Sequence, residues 1–297
     1  MTASAPNIAF LRRRRLFSLV CIAPATLWLV AALLLPLAMM LVFSFWTTKL
    51  GGMDPTWTLD NYRHFFRTPI YSLLFLKTLK MALVVTAILL LIGYPTAYCL
   101  GRLDPRYRTI LLILLLIPFW TSYLVRSFAW LPLLGQQGLV NVVLVTLGIL
   151  DQPSGALLYN DFAVYVGLCY VFLPFMIVPI YLVLERQDLS LEEAAADQGA
   201  NRWQVFWKVT FPLSLSGVSA GCILVFTNVI GAYVTPKLLG GPSGIMYGNA
   251  VADQFSAVYN LPFGATLSVI LVVSVLVFIA LLTKLTRTSW VDVGGAK

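Results

Sequence analysis

The chain of 297 residues is 60% hydrophobic and only 11% charged, whereas soluble domains are about 45–50% apolar and about 25% charged. A single soluble core of this size cannot bury such a surplus of apolar side chains, so the sequence requires lipid around it. The net charge of +8 does not indicate a nucleic-acid partner, because the basic residues stand at the ends of apolar runs, where membrane topology explains them.

The first apolar run covers residues 16–46 and follows four arginines, Arg12–Arg15. A charged start of this kind is typical of a signal peptide, but the run is about twice the usual length and lacks a small-residue cleavage site. We therefore expect a retained signal anchor, preceded by a cytoplasmic segment of residues 1–15.

Six apolar runs are long enough to cross a hydrocarbon core, which takes roughly 20 helical residues. They cover residues 16–46, 73–100, 109–131, 162–184, 211–234 and 263–285. The sequence therefore predicts an all-α integral membrane protein, with a six-helix transmembrane bundle over residues 16–285 and a cytoplasmic tail over 286–297. Residues 139–150 are apolar but too short to span, which predicts a re-entrant or interfacial helix.

Basic residues distinguish the two sides of the membrane. The chain ends and the loops after the second and fourth runs contain Arg12–Arg15, Arg102, Arg106, Arg108, Arg186, Arg202, Lys208, Lys284, Arg287 and Lys297. The remaining loops contain fewer, namely Lys49, Arg63, Arg67 and Lys237. Because cytoplasmic loops are enriched in Lys and Arg, the sequence predicts that both termini lie in the cytoplasm.

Residues 186–212 form a polar stretch in the middle of this apolar chain. Ser190 and Glu193 have the spacing of a capping box, in which the serine hydroxyl accepts from the Glu193 N–H and the Glu193 carboxylate accepts from the Ser190 N–H. The sequence therefore predicts a helix that begins at Ser190 and continues through the helix-forming alanines 194–196. Gly199 is expected to end it in a left-handed conformation.

A second short helix is predicted over residues 201–208, with Trp203, Phe206 and Trp207 on one side, and Pro212 marks the start of the next span. On physical grounds two interpretations of this helix–turn–helix remain open. It is an interfacial connector with its tryptophans at headgroup level, or it is a docking surface where small alanines and acidic side chains meet a partner.

A spacing pattern bears on this choice: Glu-Ala-Ala at 193–195, Gly199 after three residues, and Val-Thr-Phe-Pro at 209–212 after nine more. The pattern resembles the EAA loop of ABC-importer permeases, which reads Glu-Ala-Ala, three residues, Gly, nine residues, Ile-x-Leu-Pro. Val209 and Phe211 replace the Ile and Leu with other apolar side chains. The resemblance extends over nearly the whole chain, and the loop lies between the fourth and fifth of six spans, as in that family.

The resemblance implies a type I ABC-importer permease fold in which the 186–212 segment seats in a cleft of a cytoplasmic ATPase subunit. The residues it assigns to coupling are Glu193, Ala194, Ala195, Asp197, Gly199 and Pro212. Glu193 would pair with a basic residue of the ATPase, and the alanines would pack into the cleft. The capping role of Glu193 remains open as a second role for the same carboxylate. The implied partners are two ATPase subunits, a second permease subunit and an outer solute-binding protein at a bacterial inner membrane.

Several chemistries are missing from the sequence. No Gly-x-x-x-x-Gly-Lys-Ser/Thr phosphate loop occurs, so we expect ATP and Mg²⁺ on a separate chain and no cofactor on this one. The single histidine, His64, leaves no His-based catalytic or metal site. The cysteines lack metal or redox spacing and are interpreted as small buried apolar residues; they are Cys21, Cys99, Cys169 and Cys222.

Residues 123–141 and 231–242 resemble the matching regions of permeases in the spermidine/putrescine branch, which implies a polyamine or similar small organic solute. A charge at membrane depth such as Arg126 is either functional or snorkels to the interface. Aromatic rings such as those of Trp120, Tyr170 and Tyr233 offer cation–π contacts or simple packing. The candidates for the solute path are Arg126, Trp120, Tyr170, Asn228 and Tyr233. Against a simple polyamine path, all 12 acidic residues fall outside the six runs.

We therefore expect a permease subunit that forms the solute path of an ATP-driven importer, beside a second and distinct permease. The alternative is a stand-alone secondary transporter or channel, which should carry an intramembrane carboxylate or histidine, or repeated broken spans. Neither feature is visible in the sequence. An intramembrane enzyme is less favoured still, because no acid–base or metal cluster is present.

Overall fold

The computed structural model describes the backbone of residues 8–49 and 52–294 and the side chains of residues 22–49 and 52–286. The predicted cytoplasmic segment 1–15 and tail 286–297 therefore lie largely outside the described residues, as do the side chains of Arg12–Arg15, Cys21, Arg287 and Lys297. The predicted orientation of the termini stays a prediction.

The described residues are mostly helical, with one small antiparallel hairpin. The helices are α1 (Ile8–Phe43), α2 (Asp60–Arg67), α3 (Pro69–Arg102), α4 (Pro105–Leu116), α5 (Tyr123–Phe128), α6 (Trp130–Leu134), α7 (Leu139–Thr146), α8 (Asp161–Glu185), α9 (Ser190–Asp197), α10 (Arg202–Val205), α11 (Phe211–Ile230), α12 (Val234–Leu239), α13 (Tyr247–Ser256) and α14 (Leu261–Gly294). The strands β1 (Thr47–Lys49) and β2 (Gly52–Asp54) form the hairpin. Short 3₁₀ helices cover Ile117–Trp120 and Gly155–Leu157, and a π-helical turn covers Phe206–Thr210.

Within the described residues, six helical stretches are long and apolar enough to cross a membrane. They are Ile22–Phe43, Pro69–Arg102, Tyr123–Thr146, Asp161–Glu185, Arg202–Ile230 and Leu261–Thr286. The predicted all-α class with six spans is confirmed, and five of the six stretches overlap the predicted runs closely. Asp161 and Glu185 are the first and last residues of α8, so the prediction that every acidic residue lies outside the spanning helices fails for these two by one residue each.

The predicted third span, a continuous helix over residues 109–131, is wrong. α4 continues into the 3₁₀ turn at Ile117–Trp120 and then stops, because Thr121 and Ser122 adopt extended backbone conformations. The Ser122 hydroxyl accepts from the N–H of Val125 at 3.3 Å and so caps a new helix, α5. The apolar stretch 123–146 is built of α5, α6 and α7. Helix α7 confirms a short helix near residues 139–150, and its place in the membrane stays a prediction.

Helices α3, α8 and α11 pack together as the centre of the membrane bundle. Their facing side chains are fully buried, among them Val85 on α3, Ile180 on α8 and Val225 on α11. At Gly217 the backbones come so close that a Cβ atom would lie 2.8 Å from the carbonyl oxygen of Pro179. Small residues permit this close approach between helices in lipid, so α8 and α11 are held as one unit.

A smaller cluster covers one end of this bundle and connects the loops there. Phe65, Tyr247, Phe263 and Leu267 are buried against one another, and the Tyr247 hydroxyl donates to the carbonyl of Leu267 at 3.0 Å. This cluster joins α2 and α13 to α14, and it fixes the connection that follows α11.

The cysteines are unpaired in the described residues, and their burial varies. Cys222 is buried, Cys169 is half-buried and Cys99 is exposed. The prediction of buried apolar cysteines therefore holds for Cys222 and is wrong for Cys99. The described residues also contain no group of three His, Cys, Asp or Glu side chains that could hold a metal ion.

We predict that Gly217→Ala lowers the thermal stability of the purified protein, because the added methyl group meets the α8 backbone. Overpacking of this kind costs about 1–3 kcal/mol. Gly231→Ala is the matched control, since the atom nearest to a Cβ there lies 3.7 Å away. Thermal unfolding in detergent measures both variants, and equal melting temperatures would contradict the close α8–α11 contact.

Candidate coupling site

Helix α9 begins at Ser190 without the predicted capping box. The carboxylate of Asp188 accepts from the N–H of Ser190 at 3.0 Å, and the N–H of Glu193 donates to the carbonyl of Leu189 at 3.1 Å. Because both amides of the predicted box have other acceptors, the capping role of Glu193 is wrong. Hydrogen bonds from the backbone and hydroxyl of Ser190 instead hold the pKa of the Asp188 carboxyl below its ordinary value.

The turn after α9 confirms the predicted left-handed glycine. Gly199 has a φ of 86°, its N–H donates to Ala196 O at 2.9 Å, and the N–H of Ala200 donates to Ala195 O at 3.1 Å. This pair of bonds is the Schellman motif, which closes a helix on a residue in the left-handed region. Glycine adopts that region without the steric cost that a Cβ atom brings.

A capping box does occur in the segment, at the start of α10. Asn201 Oδ1 accepts from the N–H of Gln204 at 2.8 Å, and Gln204 Oε1 accepts from the N–H of Asn201 at 3.0 Å. The predicted separate helix over 201–208 is wrong at its end, because α10 continues through the π turn into α11. Pro212 has no N–H for the carbonyl of Lys208, and the helix widens into the π turn at this place.

One face of α3 contacts the 186–212 segment through three residues spaced four apart, Tyr94, Tyr98 and Arg102, which we call the α3 stripe. Side chains at this spacing lie above one another on a helix. The ring centroid of Phe206 lies 5.8 Å from that of Tyr94 and 5.9 Å from that of Tyr98. The Tyr94 hydroxyl is 2.9 Å from the hydroxyl of Ser214 on α11. The α3 stripe therefore holds the second half of the segment against the membrane bundle.

Glu192 is a functional candidate that the sequence reasoning missed. Its carboxylate oxygen Oε1 accepts from the guanidinium of Arg102 and from the hydroxyl of Thr210 at 2.8 Å. The Gln187 amide donates to the carbonyl of Thr210 at 3.3 Å. The side chain of Glu192 is 16% exposed, so this acid faces inward. We call Arg102, Glu192 and Thr210 the Glu192 latch.

The exposed residues of α9 include most of the coupling residues predicted on this helix, and Glu193 also lines the cavity between α9 and the end of α3. Glu193, Ala194 and Asp197 are exposed, and Ala195 is half-buried. Among the residues that the structure describes, no ion pair or side-chain hydrogen bond involves Glu193 or Asp197. The face therefore presents two unpaired carboxylates one helical turn apart, with a small side chain beside them. We call Glu193, Ala194 and Asp197 the α9 face.

Two tryptophans extend this surface along α10 and the π turn. Trp203 is 69% exposed and Trp207 is 47% exposed. The Trp203 ring stacks on Phe206, and the Trp207 ring contacts both of them edge to face. The predicted aromatic side of the second helix is confirmed. Phe206 faces the bundle and the tryptophans face outward, where lipid headgroups or a partner would meet them.

The predicted path residues do not form one site within the described residues. No hydrogen bond, ion pair or ring contact there joins any two of them. Trp120 is 89% exposed, the Tyr170 ring packs on Trp130 at 5.6 Å, and the Asn228 amide donates to the carbonyl of Leu224 at 2.8 Å.

Arg126 and Tyr233, the other two predicted path residues, lie beside different groups. The Cζ atom of Arg126 stands 4.5 Å from the ring centroid of Phe119, and its Nε is buried without a hydrogen-bond partner among the described residues. The carbonyl of Tyr233 accepts from the Asn249 amide at 2.8 Å, and its ring is half-exposed.

The two carboxylates at the ends of α8 are paired with basic residues. Asp161 lies 2.7 Å from the Lys77 ammonium, and Glu185 lies 3.2 Å from the Arg108 guanidinium. Lys77 also donates to the carbonyl of Ser243. These pairs fasten the ends of α8 to its neighbours, and they leave no unpaired acid within that helix.

Comparisons with known proteins agree on one family. A family model described as "Binding-protein-dependent transport system inner membrane component" matches residues 89–287. The spermidine/putrescine transport system permease protein PotB of Haemophilus influenzae is 38% identical over 267 residues, covering 89% of this chain and 92% of the relative. PotB of Escherichia coli is 37% identical over 247 residues, covering 83% and 89%.

Two solved structures share the fold at low identity. A bacterial ABC transporter that imports the acidic polysaccharide alginate aligns with a TM-score of 0.70 and 14% identity, covering 95% of this chain and 99% of that one. The MetNI methionine ABC transporter aligns with a TM-score of 0.55 and 18% identity, covering 75% and 98%.

We predict that Gly199→Ala loosens the turn after α9, because a non-glycine residue in the left-handed region costs about 1–2 kcal/mol. Gly199→Asn is the matched variant, since asparagine tolerates that region better. Hydrogen exchange of the Ala200 amide, whose bond closes the turn, should accelerate more in the alanine variant than in the asparagine variant. Equal exchange in both would show that the left-handed conformation does not limit the turn.

Proposed function

Because the chain belongs to the family of binding-protein-dependent transport system inner-membrane components, we propose that its 186–212 segment couples an ATPase subunit to solute movement. The chain is the multi-pass permease component of an ABC importer. It is a transport subunit and not an enzyme, as its relatives are. The family carries no cofactor, and in this proposal ATP and Mg²⁺ bind the ATPase subunits.

The observation that carries the proposal is the α9 face. Small side chains permit a partner backbone to approach closely, and Glu193 and Asp197 offer charge to basic residues of that partner. Both acids are exposed and unpaired within the described residues, so a docking ATPase need not break an existing contact to reach them. The coupling residues in this proposal are Glu193, Ala194, Ala195, Asp197, Gly199 and Pro212.

The proposed complex contains two ATPase subunits, this permease, a second and distinct permease, and a solute-binding protein outside the membrane. The exposed apolar faces of the spanning helices support a second permease and surrounding lipid. Helix α1, for example, has no buried residue between Ile22 and Leu41. Both termini face the cytoplasm in this arrangement, which places the α9 face on the side where ATP is available.

We propose a polyamine or a similar small organic solute as the substrate. The support is the 37–38% identity to permeases named for spermidine and putrescine over most of the chain. Exposed aromatic rings at Trp120, Tyr170 and Tyr233 suit a cationic amine through cation–π contacts. Asn228 and Arg126 complete the proposed path, and the solute-binding protein makes the main selection.

A stand-alone secondary transporter is the weaker alternative. Such a protein needs an ionisable group at membrane depth that is free to bind and release the coupling ion. Within the described residues the acids at the ends of α8 are paired with Lys77 and Arg108. The arrangement therefore favours a transporter that is driven from outside the chain.

We predict that Glu193→Lys weakens binding of the ATPase subunit at least about tenfold, a typical effect at the centre of an interface. The amount in the membrane and the thermal stability should stay unchanged, because the exposed side chain of Glu193 makes no ion pair or hydrogen bond with a described residue. Co-purification measures the retained ATPase. Asp104→Asn is the control, since this residue is also an exposed acid on the cytoplasmic side and its side chain caps no helix. Full retention by the Glu193 variant, or solute transport by the chain alone, would contradict the proposal.

For the substrate, we predict saturable, ATP-dependent uptake of labelled spermidine by the complete complex in proteoliposomes, with unlabelled putrescine as a competitor. The Glu193→Lys complex is the control for uptake that bypasses coupling. Suppose that spermidine is not taken up, but another solute that saturates the binding protein is taken up. The polyamine proposal is then wrong, and the coupling proposal stands.

A further inference from the structure

The Glu192 latch joins three elements that are distant in the sequence. Arg102 ends α3, Glu192 lies in the first turn of α9, and Thr210 lies in the π turn that leads into α11. The carboxylate of Glu192 is the shared acceptor for donors from the other two. A single side chain of α9 thus contacts the ends of the second and fifth spans.

The partners in the latch are partly or fully buried, so the loss of one of its hydrogen bonds would destabilise the arrangement. Thr210 is 1% exposed, and the side chains of Glu192 and Arg102 are 16% and 35% exposed. The Arg102 guanidinium also lies over the Tyr98 ring, 4.9 Å from its centroid, so it is held in place from a second side. A fully exposed ion pair would contribute little, but a largely buried carboxylate that loses a donor is left poorly satisfied.

Apolar packing does not hold α9 in place. No residue of α9 is buried, and a cavity of about 390 Å³ lies beside it, lined by Glu192 and Glu193 of α9, Tyr98 and Arg102 of α3, and Val205 and Phe206. The second half of the segment is different, because Phe206 packs on the α3 stripe. The first half is held by polar contacts, namely the latch and the bond from the Gln187 amide to the carbonyl of Thr210, and within α9 itself the latch supplies them.

We propose that Glu192 is a positioning residue that ties α9 to α3 and α11, so that a displacement of the docked α9 moves both spans together. Without the latch, α9 would follow the ATPase while the spans stayed behind. This inference rests on the proposed coupling function. It assigns the two adjacent acids different tasks: Glu193 faces the partner, and Glu192 transmits the movement within the chain.

The test uses the complete complex in proteoliposomes and measures solute transported per ATP hydrolysed. Arg102→Met and Glu192→Gln each remove the ion pair, and we expect the ratio to fall roughly tenfold, within the range of about 5–150-fold that is typical of coupling between sites. Both variants should retain the ATPase subunit. The exchanged pair, Arg102→Glu with Glu192→Arg, should recover most of the ratio, since it restores the attraction.

Two further variants complete the design. Thr210→Val removes only the hydroxyl donor and should lower the ratio less than loss of the ion pair does. Arg106→Met, at an exposed arginine in the first turn of α4, is the matched control and should leave the ratio unchanged.

Three results would overturn the inference. An unchanged ratio in both single variants would show that the latch transmits nothing. An exchanged pair no better than the single variants would show that the ion pair is not the cause. Loss of the assembled complex in every latch variant, Thr210→Val included, would show a purely structural role. If the unmodified chain fails to retain an ATPase, the proposed function itself fails, which is a different outcome from any of these.

Discussion

The position of α9 depends on one shared acceptor, the carboxylate of Glu192, which binds donors from the ends of two spanning helices. An α-helix advances about 100° per residue, so the side chain of Glu193 is turned by about 100° from that of Glu192 and is exposed at the edge of the cavity beside α9. Glu192 is therefore within reach of Arg102 and Thr210, while Glu193 is left without an ion pair among the described residues. The α9 face is thus left unpaired among the described residues, while the same helix remains attached to the membrane bundle.

The close packing of α3, α8 and α11 determines which helices would move when the latch is displaced. α8 and α11 meet at Gly217 with no room for a side chain, and α3 packs against both. A tightly packed interior transmits displacement because its side chains have few voids in which to relax. A force on Arg102 and Thr210 therefore reaches the centre of the bundle through α3 and α11, and α8 moves with them.

The sequence predicted those features that follow from local rules. Apolar length located five of the six spans, and the need for a left-handed residue after the alanines identified Gly199. The third span was misplaced because two hydroxyl residues, Thr121 and Ser122, end one helix and cap the next inside an apolar run, which hydropathy does not register. The capping box was wrongly assigned to Ser190 because the same spacing rule fits both Ser190 with Glu193 and Asn201 with Gln204. The rule also does not register that the carboxylate of Asp188 accepts from the Ser190 N–H.

Other features depend on tertiary contacts and have no local pattern. Arg102 lies 90 residues from Glu192 and pairs with that glutamate and not with Glu193. No local pattern in the sequence indicates this choice. No hydrogen bond, ion pair or ring contact joins the predicted path residues within the described part of the chain. The sequence therefore offers a spacing pattern for the proposed coupling segment and no comparable pattern for a solute site.

Hydrogen exchange in lipid nanodiscs, compared with and without the ATPase subunit, tests the coupling account most directly. The account predicts that the amides of residues 193–198 become protected when the ATPase is bound, while those of the exposed residues 103–107, at the connection of α3 to α4, change little. Protection confined to other loops, with α9 unaffected by the ATPase, would contradict the assignment of α9 as the docking element.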